Sequence, residues 1–446
     1  MSLHSPTSDT APRYTSYPTA PHFHSGIDSA TVSRWMGRVG SDEPISLYVH
    51  IPFCDKLCWF CACHTRHTLR YEPVADYLGL LRREIRLVAD RLNGRGIVQS
   101  LHLGGGSPTM LRPDDIRRLA ETLRGSFRFS GDAAFSVEID PSDMDEDRLD
   151  GLASIGVTRA SLGVQDFDPR VQRAINREQG FDLTRDMVEG LRARGIMAIN
   201  LDLVYGLPHQ TVDSVIATVD RCLELAPDRI ALFGYAHVPW FKKHQSMIDE
   251  AWLPGPEARL ELARRAAERI VGAGYIAVGI DHFGRPGDPL AMAMAERRLR
   301  RNFQGYTDDV CDTLIGLGPS SVSRYREGYA QNSPAMGHYV RAIEAQALPV
   351  CRGIALSTED RIRGWLIERL MCDFGFSILD LLALDSDLGG TIVAEAEYVA
   401  RHAPRELVLS GDRFQIPDSS RAYARSIAAR FDTYLARGIA RHSAAV

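Results

Sequence analysis

His50-Ile51-Pro52-Phe53-Cys54-Asp55-Lys56-Leu57-Cys58-Trp59-Phe60-Cys61-Ala62-Cys63 holds four of the chain's eight cysteines, at spacing C-x3-C-x2-C-x-C. Such crowding has three ordinary explanations. A disulfide framework fits poorly, because Cys222, Cys311, Cys351 and Cys372 are scattered and no secretion signal is evident. A structural zinc site usually needs two separated ligand pairs, and only one cluster is present. The third reading is an iron–sulfur cluster, for which thiolates are well-matched soft ligands. Cys54, Cys58 and Cys61 would then bind three irons of a [4Fe-4S] cube from one tight loop, leaving the fourth iron open to a chelating ligand.

The loop follows a strand-like run, Ser46-Leu47-Tyr48-Val49-His50-Ile51. Its C-x3-C-x2-C spacing resembles the signature of the radical S-adenosylmethionine (SAM) superfamily. That resemblance implies that the open iron takes the amino and carboxylate groups of SAM. It also implies that one electron from the cluster breaks SAM to methionine and a 5′-deoxyadenosyl radical.

Working outward, 446 residues allow two or three domains. Hydrophobic residues make up 45% and charged residues 24%, enough for a sizeable core. A net charge of -5 gives no electrostatic reason to expect nucleic acid or an anionic membrane as partner. No apolar run approaches the ~20 residues of a membrane span. Met1 to Ser16 is polar and lacks the core of a signal peptide. A reducing cytoplasm is expected.

Residues 1–43 read as an arm. Prolines in Pro12-Arg13-Tyr14-Thr15-Ser16-Tyr17-Pro18-Thr19 forbid a regular helix, leaving an extended tail or a lid. Over residues 44–333 strands and helices alternate. Strands are expected at 46–51, 100–103, 134–139, 159–164, 199–204, 229–233 and 275–280. Helices carry Val74, Leu78, Leu81, Ile85, Val88 and Leu92, then Ile116, Leu119 and Leu123 after Pro113. An arginine-rich helix is expected from Pro256 to Val271. Repeated strand–helix units argue for a parallel sheet with helices outside, and the polar residues gather at strand C-terminal ends. The expected fold is α/β, a closed or partial (β/α)6 barrel, with a doubly wound sheet as the alternative. Residues 334–446 read as a mainly helical C-terminal domain. It opens on a capping-box sequence at Ser357-Thr358-Glu359-Asp360. A hairpin is expected over 407–416, then a final helix through Ile427, Phe431 and Leu435. A winged-helix-like module has this order too, but without a basic excess a packing or lid domain is preferred.

Several groups could carry chemistry. Gly104-Gly105-Gly106-Ser107 follows a strand, where glycines let backbone approach a ligand or simply make a tight turn. Glu138, Gln165 and Asp202 fall at or near strand ends, and a carboxylate there could accept both hydroxyls of a ribose. Arg177 could clamp a carboxylate bidentately. Singly, each of these could be a solvated surface group. His50, Arg66, His67 and Arg70 flank the loop as surface charges or as groups facing an acidic substrate. Cys63 lies too close to Cys61 to join the same cube easily; it is either a small packing residue or a group acting beside the cofactor. Cys222, on a helix with Val215 and Val219, is expected in the core.

Taken together, PRYTSYPT (12–19), YVHIPFC (48–54), the four-cysteine motif, LHLGGGSPT (101–109), VEIDP (137–141), GVQDF (163–167), INREQ (175–179), DLVYGLP (202–208), DHF (281–283), RNFQGYT (301–307) and YAQN (329–332) resemble the oxygen-independent coproporphyrinogen III oxidase family across nearly the whole chain. The resemblance implies a radical SAM barrel with a C-terminal helical domain. It implies oxidative decarboxylation of two propionates of coproporphyrinogen III to vinyls, in anaerobic haem biosynthesis. The cofactors implied are one [4Fe-4S] cluster on Cys54, Cys58 and Cys61, and two molecules of SAM. SAM contacts carry over to Tyr48, Phe60, Gly105, Gly106, Ser107, Glu138, Gln165, Arg177, Asp202, Ala236 and Val322; a catalytic role is expected of Cys63 from its place two residues after Cys61 on the same loop. Ala62 stands where the family usually has glycine, Ser107 where it often has threonine, and Val322 follows an unusual Leu317-Gly318-Pro319-Ser320-Ser321 context. An electron donor and an acceptor are required, and a monomer is expected. The rival is the related radical SAM haem chaperone, which usually lacks both Cys63 and the PRYTSYPT arm. A nucleic-acid reader and a zinc-stabilised module are more distant; the net charge and the single cysteine cluster speak against them.

Overall fold

The computed structural model describes residues 11–435. The ends of the expected arm and C-terminal segment, 1–10 and 436–446, lie outside the described residues. A helix, α1 (Ser29–Met36), precedes six parallel strands: β1 (Pro44–Ile51), β2 (Ile97–Gly105), β3 (Phe129–Ile139), β4 (Arg159–Gln165), β5 (Ala198–Tyr205) and β6 (Arg229–Gly234). They lie side by side in chain order. Parallel strands covered on both faces read as apolar runs; in β1, Ile45, Leu47, Val49 and Ile51 are all buried.

Helices return the chain after each strand: α2 (Glu72–Leu92), α3 (Pro113–Ser126), α4 (Glu146–Ser154), α5 (Phe181–Ala193), α6 (Val212–Glu224) and α7 (Pro256–Gly272). In α2 the residues buried at three- and four-residue steps are those the periodicity predicts, Val74 to Leu92. It stops where Asn93 takes a left-handed conformation that releases the chain. Pro113 opens α3, with Asp114 and Asp115 in its positively polarised first turn. Cys222 is fully buried on α6, as expected.

The sheet continues past both ends of the parallel set. Short β7 (Ile276–Val278) and β8 (His282–Gly284) form a hairpin whose second strand runs antiparallel to β6. The strand expected at 275–280 is therefore not a further parallel unit. Only three residues separate it from β8, and a parallel connection needs a dozen or more. On the other side, β9 (Thr313–Leu317) pairs parallel to β1, followed by antiparallel β10 (Val322–Tyr325), β11 (Gly328–Asn332) and β12 (Val350–Ala355). The twelve strands form an open sheet, ordered β12-β11-β10-β9-β1-β2-β3-β4-β5-β6-β8-β7. The expected barrel is thus partial. No helix among the described residues is long and apolar enough to cross a membrane.

Two large cores result. The first joins the sheet to its helices, and it includes Tyr339 and Ile343 of α8 (Met336–Glu344) and Leu348. Residues 336–355, grouped with the C-terminal segment on sequence pattern, therefore pack with the barrel; β12 needs the β11 edge to satisfy its backbone. The second core begins with α9 (Thr358–Asp373), opened by the predicted capping box at Ser357 and Asp360. The predicted hairpin forms, with strands Val408–Ser410 and Arg413–Gln415. The final helix does not form as one piece: Ala424–Ala428 is α-helical, and Ala429–Phe431 is a 3-10 turn. Asp432 leaves the helix in an extended conformation, and its carboxylate accepts the Tyr14 hydroxyl (3.0 Å).

That contact shows what the arm does. Tyr14 and Tyr17 are buried in the second core beside Ile362, Leu366 and Leu370. Phe23 stacks on Tyr329 of β11, and His24 pairs with Gly353 on the outer edge of β12. The arm is neither a loose tail nor a detached lid but a buried strap that also covers a sheet edge.

Beneath β1, Glu84 of α2 is buried (1% exposed). It accepts from Tyr339 (2.6 Å), Asn332 Nδ2 (2.6 Å) and the Gly318 N–H (2.7 Å). Burial outweighs these donors and raises its carboxyl to about 7. A carboxyl raised from its unfolded value holds its proton longer in the native state. Its favourable contribution is therefore present at pH 4.5 and below and is lost as the pH rises through about 7. Glu84→Gln should remove this dependence. Relative to the variant, wild-type stability should fall by on the order of 3 kcal/mol between pH 4.5 and about 7, read as a falling thermal midpoint. Parallel melting curves across that range would refute the assignment.

Candidate functional site

The cysteine loop begins where β1 ends. Phe53 and Cys54 pair in parallel with Arg66 and His67, and the chain between has no regular structure. Its backbone groups must find other partners. Trp59 N–H donates to Ile175 O (2.9 Å), and Asn176 Nδ2 donates to Leu57 O (2.9 Å). From the segment after β6, Gln245 Nε2 donates to Phe60 O (2.8 Å), His244 Nε2 to Cys61 O (2.7 Å) and Lys242 Nζ to Cys63 O (2.8 Å). Trp59 and Phe60 pack against a small core that includes Val171, Ile175, Val204 and Tyr235. The loop is thereby held from the ends of β4, β5 and β6.

Each of the first three thiols has a polar neighbour. Cys54 Sγ lies 3.0 Å from Thr65 Oγ1, Arg177 Nη1 donates to Cys58 Sγ (3.5 Å), and the Cys63 N–H donates to Cys61 Sγ (3.3 Å). Burial pushes the Cys54 thiol up to about 12 and raises Cys58, whereas hydrogen bonds from Cys63 pull Cys61 down to about 7. The charges of Cys58 and Cys61 both weigh on Cys54, so the three thiols share one neighbourhood. Among the described residues no three His, Cys, Asp or Glu side chains are set to grip a single ion. Thiols on one short loop, backed by N–H and guanidinium donors, suit a cluster whose sulfur ligands are tuned by hydrogen bonds. Cys63 is exposed.

Across the strand ends, a chain of hydrogen bonds fixes proton positions. His50 Nε2 faces the His64 carbonyl (2.8 Å), so this nitrogen carries the proton and Nδ1 accepts from the Tyr48 hydroxyl (3.0 Å). Burial drops the His50 imidazole to about 4, so the ring is neutral near pH 7. His50 is a buried hydrogen-bonding group, not the surface charge considered from sequence. Tyr48 stacks on His102 (5.7 Å), and His102 Nε2 donates to Glu138 Oε1 (3.2 Å). The Gly105 N–H donates to Glu138 Oε2 (3.0 Å). Against burial, His102 and Gly105 hold the Glu138 carboxyl below its ordinary value.

The glycine loop has a packing reason of its own. Gly105 has φ of 120°, and a Cβ there would collide with the His50 ring. A Cβ on Gly106 would lie 2.6 Å from Phe53 O. The hydroxyl of Ser107 is buried, bonded to Asp143 (2.5 Å) and Thr109 (2.8 Å). Arg177 bridges two strand ends, donating to Asp140 (2.7 Å) and Gly163 O (2.8 Å), while its Nε is buried without a partner. Asp202 accepts from Ser161 and Asn200 (both 2.8 Å), and burial raises its carboxyl. Gln165 closes β4 with φ of 66°, and Ala236 follows β6. Val322 instead packs with Phe23, Tyr329 and Ile354 in a separate cluster; no described contact joins it to the loop.

Sequence reasoning missed His102, Thr65, Asp140, Asn176 and the 242–245 segment. One signal was available for the last of these. The chain has only three lysines, Lys56, Lys242 and Lys243, and one lies in the cysteine loop while another holds it. The large cleft, about 1020 Å³, is elsewhere, between the second core and β10–β11, and none of the cysteines lines it. Tyr14, Tyr17 and Arg301 connect it to the arm.

Residues 48–222 match the radical SAM superfamily model. The chain is 45% identical over 443 residues to an oxygen-independent coproporphyrinogen III oxidase of Bradyrhizobium diazoefficiens, covering 98% of this chain and 97% of that one. It is 39% identical to the enzyme of that name from Escherichia coli strain K12, covering 96% and 93%. The solved structure of coproporphyrinogen III oxidase from Escherichia coli, described as a radical SAM enzyme, superposes with a TM-score of 0.90 at 38% identity, covering 95% and 97%. The chain belongs to the oxygen-independent coproporphyrinogen III oxidase family of the radical SAM superfamily.

Proposed function

We propose that the chain converts coproporphyrinogen III to protoporphyrinogen IX without oxygen, by oxidative decarboxylation of two propionates to vinyls in anaerobic haem biosynthesis. The observation that carries this reading is the cysteine loop, held open and rigid at the ends of the parallel strands and facing Glu138 and Gly105. The radical SAM superfamily implies a [4Fe-4S] cluster and SAM. Cys54, Cys58 and Cys61 would hold the cluster. Tyr48, Phe60, Gly105, Gly106, Ser107, Glu138, Gln165, Arg177, Asp202 and Ala236 would line the sites of two SAM molecules. When bound, cluster and SAM supply a one-electron hydrogen abstraction that no side chain could perform.

The chain's own residues position and shield. Glu138, ionised and fixed by His102 and Gly105, presents a hydrogen-bond acceptor suited to ribose hydroxyls. Tyr48 and neutral His50 hold their protons in one direction and add no titrating charge. The buried strap, whose Arg13 reaches Gly234 O (3.2 Å), limits water beside the strand ends. Each propionate loses a hydrogen atom and carbon dioxide, and the remaining electron passes to an acceptor. A donor must also reduce the cluster. A cytoplasmic monomer suits these needs.

Five substitutions test this reading. Serine at Cys54, Cys58 or Cys61 should abolish the visible iron–sulfur absorption after anaerobic reconstitution, because a hydroxyl is a poor substitute for a soft thiolate; full iron content in all three variants would end the cluster assignment. Glu138→Gln should keep its iron but bind SAM more weakly by about 1.5–3 kcal/mol, the scale of hydrogen bonds to a charged group. Equilibrium binding under anaerobic conditions reads this directly, and equal affinity would contradict it. Cys63→Ser preserves the backbone N–H that Cys61 accepts. It should retain iron and SAM binding while vinyl formation falls at least about tenfold, equivalent to ~1.4 kcal/mol of barrier. Normal product formation would make Cys63 a packing residue, and iron loss would make it a ligand.

A further inference from the structure

Four guanidinium groups converge where the strap crosses the end of β6. Arg13 Nη2 donates to Gly234 O (3.2 Å), and Arg259 Nη2 donates to the next carbonyl, Tyr235 O (2.8 Å). Arg301 Nε donates to Arg13 O (3.2 Å), while Arg425 reaches Ala11 O (2.6 Å) and Pro12 O (3.2 Å). In these bonds the partners of Arg13, Arg259 and Arg301 are neutral carbonyls. Among the described residues, no ion pair reaches Arg13, Arg259 or Arg301. Asp281, whose charge acts on Arg13 and Arg425, accepts from His282 Nδ1 (2.6 Å), and Glu368 accepts the backbone N–H of Arg301 (3.1 Å). Burial, together with repulsion from Arg13, lowers Arg259 and Arg425, whereas against burial Tyr306 and Asp281 raise Arg301.

Donors are also left over. Arg259 Nε and Arg301 Nη1 are buried without an acceptor, and Arg301 is only 9% exposed. Buried donors and unbalanced positive charge of this kind call for an anion. The group lies at the end of β6, and the segment that follows, 242–245, holds the cysteine loop; Arg13 is exposed there. Arg301 also lines the large cleft beside the second core. A planar, forked donor set matches carboxylates bidentately.

We propose that Arg13, Arg259, Arg301 and Arg425 form the subsite that receives a propionate carboxylate of the tetrapyrrole substrate, orienting the ring so that another propionate reaches the reacting position. This rests on the function proposed above. The carboxylates of the substrate would supply acceptors for the buried donors of Arg259 and Arg301.

The test uses the full-length, anaerobically loaded enzyme with coproporphyrinogen III. Arg259→Gln and Arg13→Gln should each raise KM by about tenfold, the scale of one charge-assisted hydrogen bond, with iron content and melting midpoint unchanged. Arg259→Lys, which keeps the charge but not the fork, should lie between. A second measurement needs no turnover: quenching of coproporphyrin III fluorescence by the protein, with the uncharged tetramethyl ester as control. Wild type should prefer the acid by at least about tenfold, and Arg259→Gln should lose most of that preference. If Arg259→Gln fails to fold, Arg13→Gln, altered at an exposed side chain, carries the test. Folded variants with wild-type KM and wild-type acid preference would overturn the subsite while leaving the oxidase reading intact. A wild-type protein that neither turns over nor binds the acid would overturn the oxidase reading itself.

Discussion

The carbonyls of Leu57, Phe60, Cys61 and Cys63 have no ladder or helix to join, and side chains from two distant segments satisfy them. Hydrogen bonds from Asn176 and the 242–245 segment therefore fix the shape of the loop. Those segments follow β4 and β6, which reach the loop only through correct ordering of the parallel sheet. Arg177 adds a further tie, reading Cys58, Asp140 and Gly163 at once. The spacing of the thiols is thus a property of the whole strand set. Short-range sequence brings the cysteines near one another; long-range hydrogen bonds decide where each sulfur points.

The same economy governs charge behind the loop. His50 lies against the backbone of Gly105 and is too buried to ionise, so it serves as a fixed relay between Tyr48 and the His64 carbonyl. Glu138 remains ionised because two donors point at it. A site that keeps proton positions fixed is poorly suited to general acid–base catalysis, where a group must titrate near the working pH. It is well suited to chemistry supplied by a cofactor, in which the protein's task is orientation and exclusion of water.

The strap couples the two large cores. Its tyrosines complete the second core, its phenylalanine lies on β11, and its backbone caps β12. Arg425 and Arg301 hold three of its successive carbonyls. Movement of the second core relative to the sheet would therefore pull on the strap, and the strap passes directly over the strand ends that carry the chemistry.

Much of this was legible in the residues alone. The periodicity from Val74 to Leu92, the apolar runs of β1 to β6, the capping box at Ser357 and the turn at Ser410-Gly411-Asp412 each express a local preference, and each formed. The cysteine spacing and the family motifs pointed to the loop and to Glu138, Arg177 and Asp202 at strand ends. Local preference could not supply the rest. Whether Tyr14 and Tyr17 were tail, lid or core depended on a helix more than 340 residues away. The run at 275–280 turned back as a hairpin because its connection was too short to cross over. The last helix gives way to a 3-10 turn and ends before Asp432, whose carboxylate accepts a hydroxyl from the distant Tyr14. His50 looked like a surface charge beside a basic stretch, yet burial left it neutral. In each case the deciding energy came from contacts between residues distant in sequence, which a one-dimensional pattern does not contain.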